Sequence, residues 1–182
     1  MTIVTLRDAS EPAVFGGKAV QLGAALRAGL PVPDGLAIAA VTVERIVQGD
    51  NASKESFSRQ LSTLQGPLAV RSSAIGEDSA EASFAGQHST KLNVVGNEAA
   101  FAALEEVWQS GRTEAAFAYR RRMGTAMQAD VAVVVQCLVA ADVAGVLFTR
   151  NPMTGSDEIV VEAGWGLGES VVQGLVVPDR YR

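Results

Sequence analysis

A guanidinium, an ammonium and a run of hydroxyls and glycines lie in two short stretches of this sequence, and all suit an anion. Arg71 follows the apolar run Leu68-Ala69-Val70 and precedes Ser72, Ser73, Gly76, Ser79, Ser83 and Gly86. A segment of small polar residues can bring backbone N–H groups and hydroxyls close to an anion. An arginine beside it adds a fixed, always-charged fork suited to phosphate. An Arg-Ser-Ser tripeptide alone is more often a surface loop with a salt-bridging arginine. Upstream, Phe15-Gly16-Gly17-Lys18 leads into an Ala/Leu-rich piece ending at Ala28. If that piece is a helix, Lys18 sits at its N-terminus, where unpaired N–H groups and the macrodipole favour an anion. The full Gly-x-x-x-x-Gly-Lys-Ser/Thr spacing is missing, so this is no Walker A loop. On the residues alone, a glycine turn with a surface lysine fits more often.

The elements that must hold these residues follow from pattern. Leu22 and Leu26, four apart, predict one apolar helix face over residues 19–28. Gly29 is the expected C-cap, and Pro31 and Pro33 forbid continuation. Strands are expected at Ile3 to Leu6, at Leu36 to Ala39, and at Leu68 to Val70, where Arg71 ends the strand. Thr42 to Gln48 reads as a short helix capped by Thr42. Ser53 to Leu64 spaces Phe57, Leu61 and Leu64 as a core-facing helix. Lys91 to Val94 alternates as a strand. Glu98 to Ser110 is a helix with Phe101, Leu104, Val107 and Trp108 on one side, and Glu114 to Met123 is another. Arg120, Arg121 and Arg122 read as a solvated face with snorkelling stems. The β-branched run from Val131 to Val139 predicts a buried strand. Further strands are expected at Gly145 to Thr149, Asp157 to Glu162 and Val176-Val177, with a glycine-rich loop at Gly164 to Glu169 and turn chemistry at Arg150 to Gly155. No internal repeat or low-complexity segment interrupts the chain.

Composition bounds the class. The 182 residues are 48% hydrophobic and 19% charged, as in folded domains. A net charge of −5 and a pI near 4.9 argue against general nucleic-acid or anionic-membrane binding. No apolar run is long enough to span a bilayer, and Met1 to Asp8 lacks the pattern of a signal peptide. The single cysteine, Cys137, reads as a small buried hydrophobe, and a reducing cytoplasm is the expected compartment.

Several rare elements then fall in one order. Val70-Arg71-Ser72-Ser73-Ala74, Glu77-Asp78 and Ala82-Ser83-Phe84-Ala85-Gly86-Gln87 resemble the nucleotide-binding domain of phosphoenolpyruvate synthases, pyruvate phosphate dikinases and rifampicin phosphotransferases. Gly16-Gly17-Lys18-Ala19, Leu22-Gly23 and Ala28 to Pro33 are similar to that family's opening motif. Asp142 to Val146, Phe148 to Pro152, Glu162 to Glu169 and Pro178 to Tyr181 match its later part. The resemblance runs from Gly16 to Tyr181.

It implies an α/β (α+β) domain of the ATP-grasp type over residues 1–182, with lobes of about 1–95 and 96–182. It implies ATP and Mg²⁺ as cofactors. Lys18 and Arg71 take catalytic roles on the phosphates, and Gly86 and Thr90 clamp the phosphates. Gln136 lies at the ATP site, and the Leu138 backbone faces the adenine edge. The family has a longer segment before Arg71 than this chain. The family's catalytic Glu and the Gln-x-Arg-Pro after it come later than anything here, so the domain reads as truncated at its C-terminal end. The metal ligands are then expected outside the chain, with Glu162 and Glu169 as the carboxylates to consider inside it. His88 does not match the family's phosphohistidine motif and reads as a loop residue. Phosphohistidine and acceptor domains are expected on a partner chain. Two functions remain open: an ATP-binding part of a phosphotransferase, or a non-catalytic nucleotide module or half of a split enzyme.

Overall fold

The computed structural model describes residues 2–75, 90–112 and 131–182. They form two compact units, Met1–Leu138 and Val139–Arg182. The lobes expected from the sequence meet near residue 95 instead. The structural boundary lies later because the strand at Val131–Cys137 is inserted into the first unit's sheet, between strands from residues 35–38 and 68–74.

The first unit is one antiparallel sheet with helices on both faces. Its strands are β1 (Ile3–Thr5), β2 (Gly35–Ile38), β3 (Leu68–Ala74), β4 (Thr90–Val94) and β5 (Val131–Cys137), in the order β1-β2-β5-β3-β4. The helices are α1 (Pro12–Arg27), α2 (Ala40–Val47), α3 (Asn51–Leu61) and α4 (Asn97–Ser110). β5 explains the two layers. Successive side chains of a strand point to opposite faces, and Val131, Val133 and Val135 enter one core while Val134 enters another. The first core gathers Val43 and Ile46 of α2, Phe57 and Leu61 of α3, and Leu104 and Val107 of α4. Phe57 and Phe101 meet edge to face with ring centroids 5.1 Å apart. The second core holds Phe15, Ala19 and Leu26 of α1 with Leu6 and Ala37. A β-branched run buried on both faces is what a central strand requires.

Local chemistry corrects several expected boundaries. β3 runs on to Ala74, so Arg71 lies in the middle of the strand and not at its end. No glycine or proline interrupts the chain between Pro67 and Gly76, so nothing stops the pairing with β5 there. Thr42 is not a cap. It lies within α2, fully buried, and its hydroxyl accepts from the N–H of Thr2 at 3.0 Å. The cap that forms is Asp50, whose carboxylate accepts from the N–H of Ser53 at 2.8 Å and starts α3. Trp108 is half-buried against the core, with the Arg112 guanidinium 3.9 Å above its ring. The helix expected at Glu114 to Met123 lies outside the described residues.

The second unit is a smaller sheet, β6 (Val143–Phe148), β7 (Val160–Trp165) and β8 (Asp179–Tyr181), with one short helix, α5 (Glu169–Val172). The strand expected at Val176-Val177 forms three residues later, where Glu162 pairs with Arg180 across β7 and β8. One face carries Ala144 and Gly164, with Val171 of α5 and Val176 close over Gly164. The other carries Val143, Leu147, Trp165 and Tyr181, which are 53%, 60%, 83% and 60% exposed. The turn before β7 is tied by Asn151, 4% exposed. Its Oδ1 accepts from the N–H groups of Met153 and Thr154 at 2.9 and 3.1 Å, and its Nδ2 donates to Glu158 at 2.5 Å.

Candidate functional site

The site is built on one face of the first sheet. Residues two apart on a strand share a face, and so do cross-strand partners. Arg71 therefore shares a face with Ser73. Its partners are Thr90 on β4 and Val134 on β5, and two residues along β5 lies Gln136, opposite Ala69. Val134 packs into the α1 core, so this is the α1 face. Thr90, Arg71 and Gln136 thus lie on one face of the sheet, on β4, β3 and β5.

α1 brings Lys18 to the same strand. The helix breaks at Gly16, which has φ 75° and ψ 164° and is non-helical, and resumes at Gly17. Lys18 is thereby in the first turn of the resumed segment, as the sequence predicts. Its Nζ donates to the carbonyl oxygen of Ser72 at 2.8 Å, and the N–H of Ala19 donates to Ser73 Oγ at 3.0 Å. Gly16 itself lies against β3. A Cβ there would stand 2.0 Å from the Ser73 carbonyl oxygen, so no other residue fits, and the positive φ also favours glycine. Lys18 and Arg71, 53 positions apart in sequence, meet on neighbouring residues of one strand.

The arginine is incompletely satisfied. Its Nε is buried and has no hydrogen-bond partner among the described residues, and the same holds for Ser72 Oγ. A buried donor without an acceptor costs about 1–3 kcal/mol, more on a charged group. An anionic oxygen is the acceptor a guanidinium N–H binds best. A lysine and an arginine beside the Thr90 hydroxyl are the kinds of group that suit a phosphate.

At the other end of the face, Gln136 is 7% exposed and its Nε2 donates to the Pro33 carbonyl at 3.0 Å. The end of β5 is clamped from both sides: Cys137 N–H donates to Asp34 O at 2.8 Å and Leu138 N–H to Pro67 O at 2.9 Å. The backbone donor of Leu138 is therefore engaged inside the protein. Gly86 and His88 lie outside the described residues, as do Arg120, Arg121 and Arg122. Glu162 is bound to Arg180, through Nε at 2.7 Å and Nη2 more closely, and Glu169 accepts from Gln173 at 2.7 Å. Among the described residues no group of three His, Cys, Asp or Glu side chains converges as metal ligands do. Sequence reasoning missed Ser72 and Ser73 as strand residues that hold α1. The one local hint that the strand continues is that Leu68 to Ile75 contains no glycine or proline.

Two cationic side chains, Lys18 and Arg71, thus come to one strand beside a glycine-broken helix start. Residues 53–182 match the model of the pyruvate phosphate dikinase, AMP/ATP-binding domain, and the chain belongs to that family. It is 33% identical to a probable phosphoenolpyruvate synthase of Archaeoglobus fulgidus, over 96% of this chain and 29% of that protein. It is 36% identical to a rifampicin phosphotransferase of Streptomyces sviceus, over 96% of this chain and 25% of that protein. It is 37% identical to the prodigiosin synthesizing transferase PigC of Serratia marcescens, over 94% of this chain and 22% of that protein. The chain thus spans less than a third of the length of these relatives. The match to the Archaeoglobus protein extends over 219 positions against 182 residues here, so that relative carries residues within the matched span that this chain lacks. No helix among the described residues is long and apolar enough to cross a membrane.

Proposed function

We propose that this chain is the ATP-binding part of an ATP-grasp phosphotransferase. The observation that carries the reading is the meeting of Lys18 and Arg71 on β3, with Arg71 Nε buried and lacking an acceptor among the described residues. Arg71 binds the phosphates through its fork, and Lys18 leaves the Ser72 carbonyl to follow them as a point charge. Thr90, the cross-strand partner of Arg71, and Gly86 clamp the phosphates. Gln136 and Leu138 hold the adenine end, where the occupied N–H of Leu138 leaves backbone recognition to its carbonyl. ATP would supply the phosphoryl group, and Mg²⁺, when bound, would supply charge neutralisation on the phosphates. The residues of this chain position and stabilise. The carboxylates for the metal, the phosphohistidine and the acceptor site belong to a partner chain or to further sequence of the kind the longer relatives carry. Relatives named for phosphoenolpyruvate, rifampicin and prodigiosin share this part, which supports placing acceptor choice elsewhere.

The test is calorimetric titration of the chain with ATP and with adenosine, with and without Mg²⁺. ATP should bind with micromolar-to-millimolar affinity, about −8 to −4 kcal/mol. Lys18→Met should weaken ATP and leave adenosine nearly unchanged. Equal losses for both ligands, or no binding of ATP by the folded chain, would overturn the reading. The second reading, a nucleotide module without its own chemistry, is favoured by the engagement of Glu162 and Glu169 in contacts within the chain. Sustained phosphate release by the purified chain with Mg-ATP, pyruvate or a rifamycin would exclude it.

A further inference from the structure

We infer that Ser73 is the N-cap of the helical segment that carries Lys18, lent by β3, and that it positions this lysine for a triphosphate. The inference rests on the phosphate reading of Lys18 given above. An N-cap residue normally uses its own side-chain oxygen to accept from the N–H two or three positions on. The residue in that position here is Gly16, which has no side chain and whose backbone has left the helix. The N–H three positions on is that of Ala19, and it is taken by Ser73 Oγ at 3.0 Å in a buried bond. A Cβ on Gly16 would lie 2.6 Å from the same Oγ, so the serine hydroxyl occupies the volume a resident capping side chain would need. Ser73 is 0% exposed, which fixes its hydroxyl and excludes water as a substitute.

The adjacent residue completes the arrangement. Ser72 accepts from Lys18 Nζ through its carbonyl oxygen, at 2.8 Å. Neighbouring residues of one strand thus hold the lysine side chain and the amide that follows it. Ser73 also shares its face of β3 with Arg71, so both cations are referenced to the same strand. Lysine has a flexible four-carbon stem, and its reach is only as defined as the turn it grows from. Removing the cap leaves the Ala19 N–H buried and unpaired and lets that first turn shift. Arg71 and Gln136, held by the strands themselves, stay where they are. Ser73 is therefore a positioning residue that acts through Lys18, and its loss should be felt by the phosphates and not by the nucleoside.

The experiment is a double-mutant cycle on the full chain, read by titration with ATP and with adenosine. Ser73→Ala should weaken ATP by roughly 5- to 20-fold, the scale of an N-cap, and leave adenosine within about twofold. In the Lys18→Met background the same substitution should change ATP affinity by less than about twofold, because coupled residues are not additive. Equal losses in the two backgrounds, or an equal loss for adenosine, overturn the inference and leave the hydroxyl a support of the fold alone. Lys18→Met with unchanged ATP affinity overturns the phosphate reading and this inference together. Lys18→Met that weakens ATP, beside Ser73→Ala that does not, overturns this inference alone. Ser73→Cys keeps the shape with a poorer acceptor and replaces the alanine variant if that chain does not fold. It should show the same pattern at smaller size, and normal ATP affinity in the folded cysteine chain overturns the inference.

Discussion

In the first unit β5 is covered on both faces, by α1 on one side and by α2, α3 and α4 on the other. In the second, α5 and the residues after it lie over one face of the sheet, and Val143, Leu147, Trp165 and Tyr181 stand exposed on the other. Val177, before β8, is 98% exposed as well. β5 and β6 are both rich in valine and other apolar residues, and they differ in what each has to pack against. A sheet buried on both faces fixes the side chains along its edges, which is what a binding site needs. A three-stranded sheet with one open apolar face is near the limit of independent stability. Chemistry that depends on exact placement is therefore expected from the first unit.

The comparison breaks most visibly in stability. Leu104, fully buried in α4, should cost about 2–5 kcal/mol when replaced by alanine. Leu147, 60% exposed on β6, should cost no more than about 0.5 kcal/mol. Urea unfolding of Leu104→Ala and Leu147→Ala measures both. A large loss for Leu147→Ala would mean that the open face is packed in solution.

The arginines sharpen the contrast. Arg71 has a buried Nε without an acceptor among the described residues, whereas Arg180 is half-exposed and already bound to Glu162. Arg71→Ala should weaken ATP binding by about 1.5–3 kcal/mol, roughly 10- to 150-fold, with little change in melting temperature. Arg180→Ala should cost about 0–1 kcal/mol of stability, as surface ion pairs do. If Arg71→Ala collapses the melting temperature while the folded fraction binds ATP normally, Arg71 belongs to the scaffold.

How much of this was legible depended on what kind of signal each residue carries. β5 announced itself, because five valines in nine residues suit a doubly buried strand and little else. Lys18 at a helix start was legible from Gly16-Gly17 and the apolar spacing after it. β3 was cut short at Val70 because Arg-Ser-Ser looks polar, and composition says nothing of a strand whose polar side chains face a helix start. Thr42 looked like a cap because threonine is a good one, but Thr2 competes for its hydroxyl from forty residues away. That bond is tertiary, and no local pattern reports it. The convergence of Ser72 and Ser73 on α1 was invisible for the same reason, since its partners are 54 residues apart.

The smallest effect concerns pH. The Asp50 carboxyl titrates below its ordinary value of 3.8, chiefly because its side chain accepts from Ser53, with the Ser53 backbone N–H next. A carboxylate whose folded value is depressed stabilises the fold above the unfolded value and loses that contribution as pH falls through the folded one. The cap of α3 should therefore be intact at pH 5 and lost in strong acid. Urea midpoints between pH 5 and pH 2.5 should fall less for Asp50→Asn than for the parent chain. Parallel pH profiles would mean that the cap does not depend on the charge.

The place of β5 in the sheet also sets the order in which the molecule can be made. Gly35 pairs with Gln136, and Leu68 with Cys137, so the strand that joins β2 to β3 is the last of the five to be synthesised. At about 5–20 residues per second, the nascent chain carries β3 for several seconds before β5 follows. Through that interval β2 and β3 present open edges, the surfaces most prone to pair with the wrong chain. Contacts of such long sequence separation also make closure slow once β5 has emerged. The sheet that is most completely enclosed in the finished protein is thus the one whose central gap stays open longest while the chain is being made.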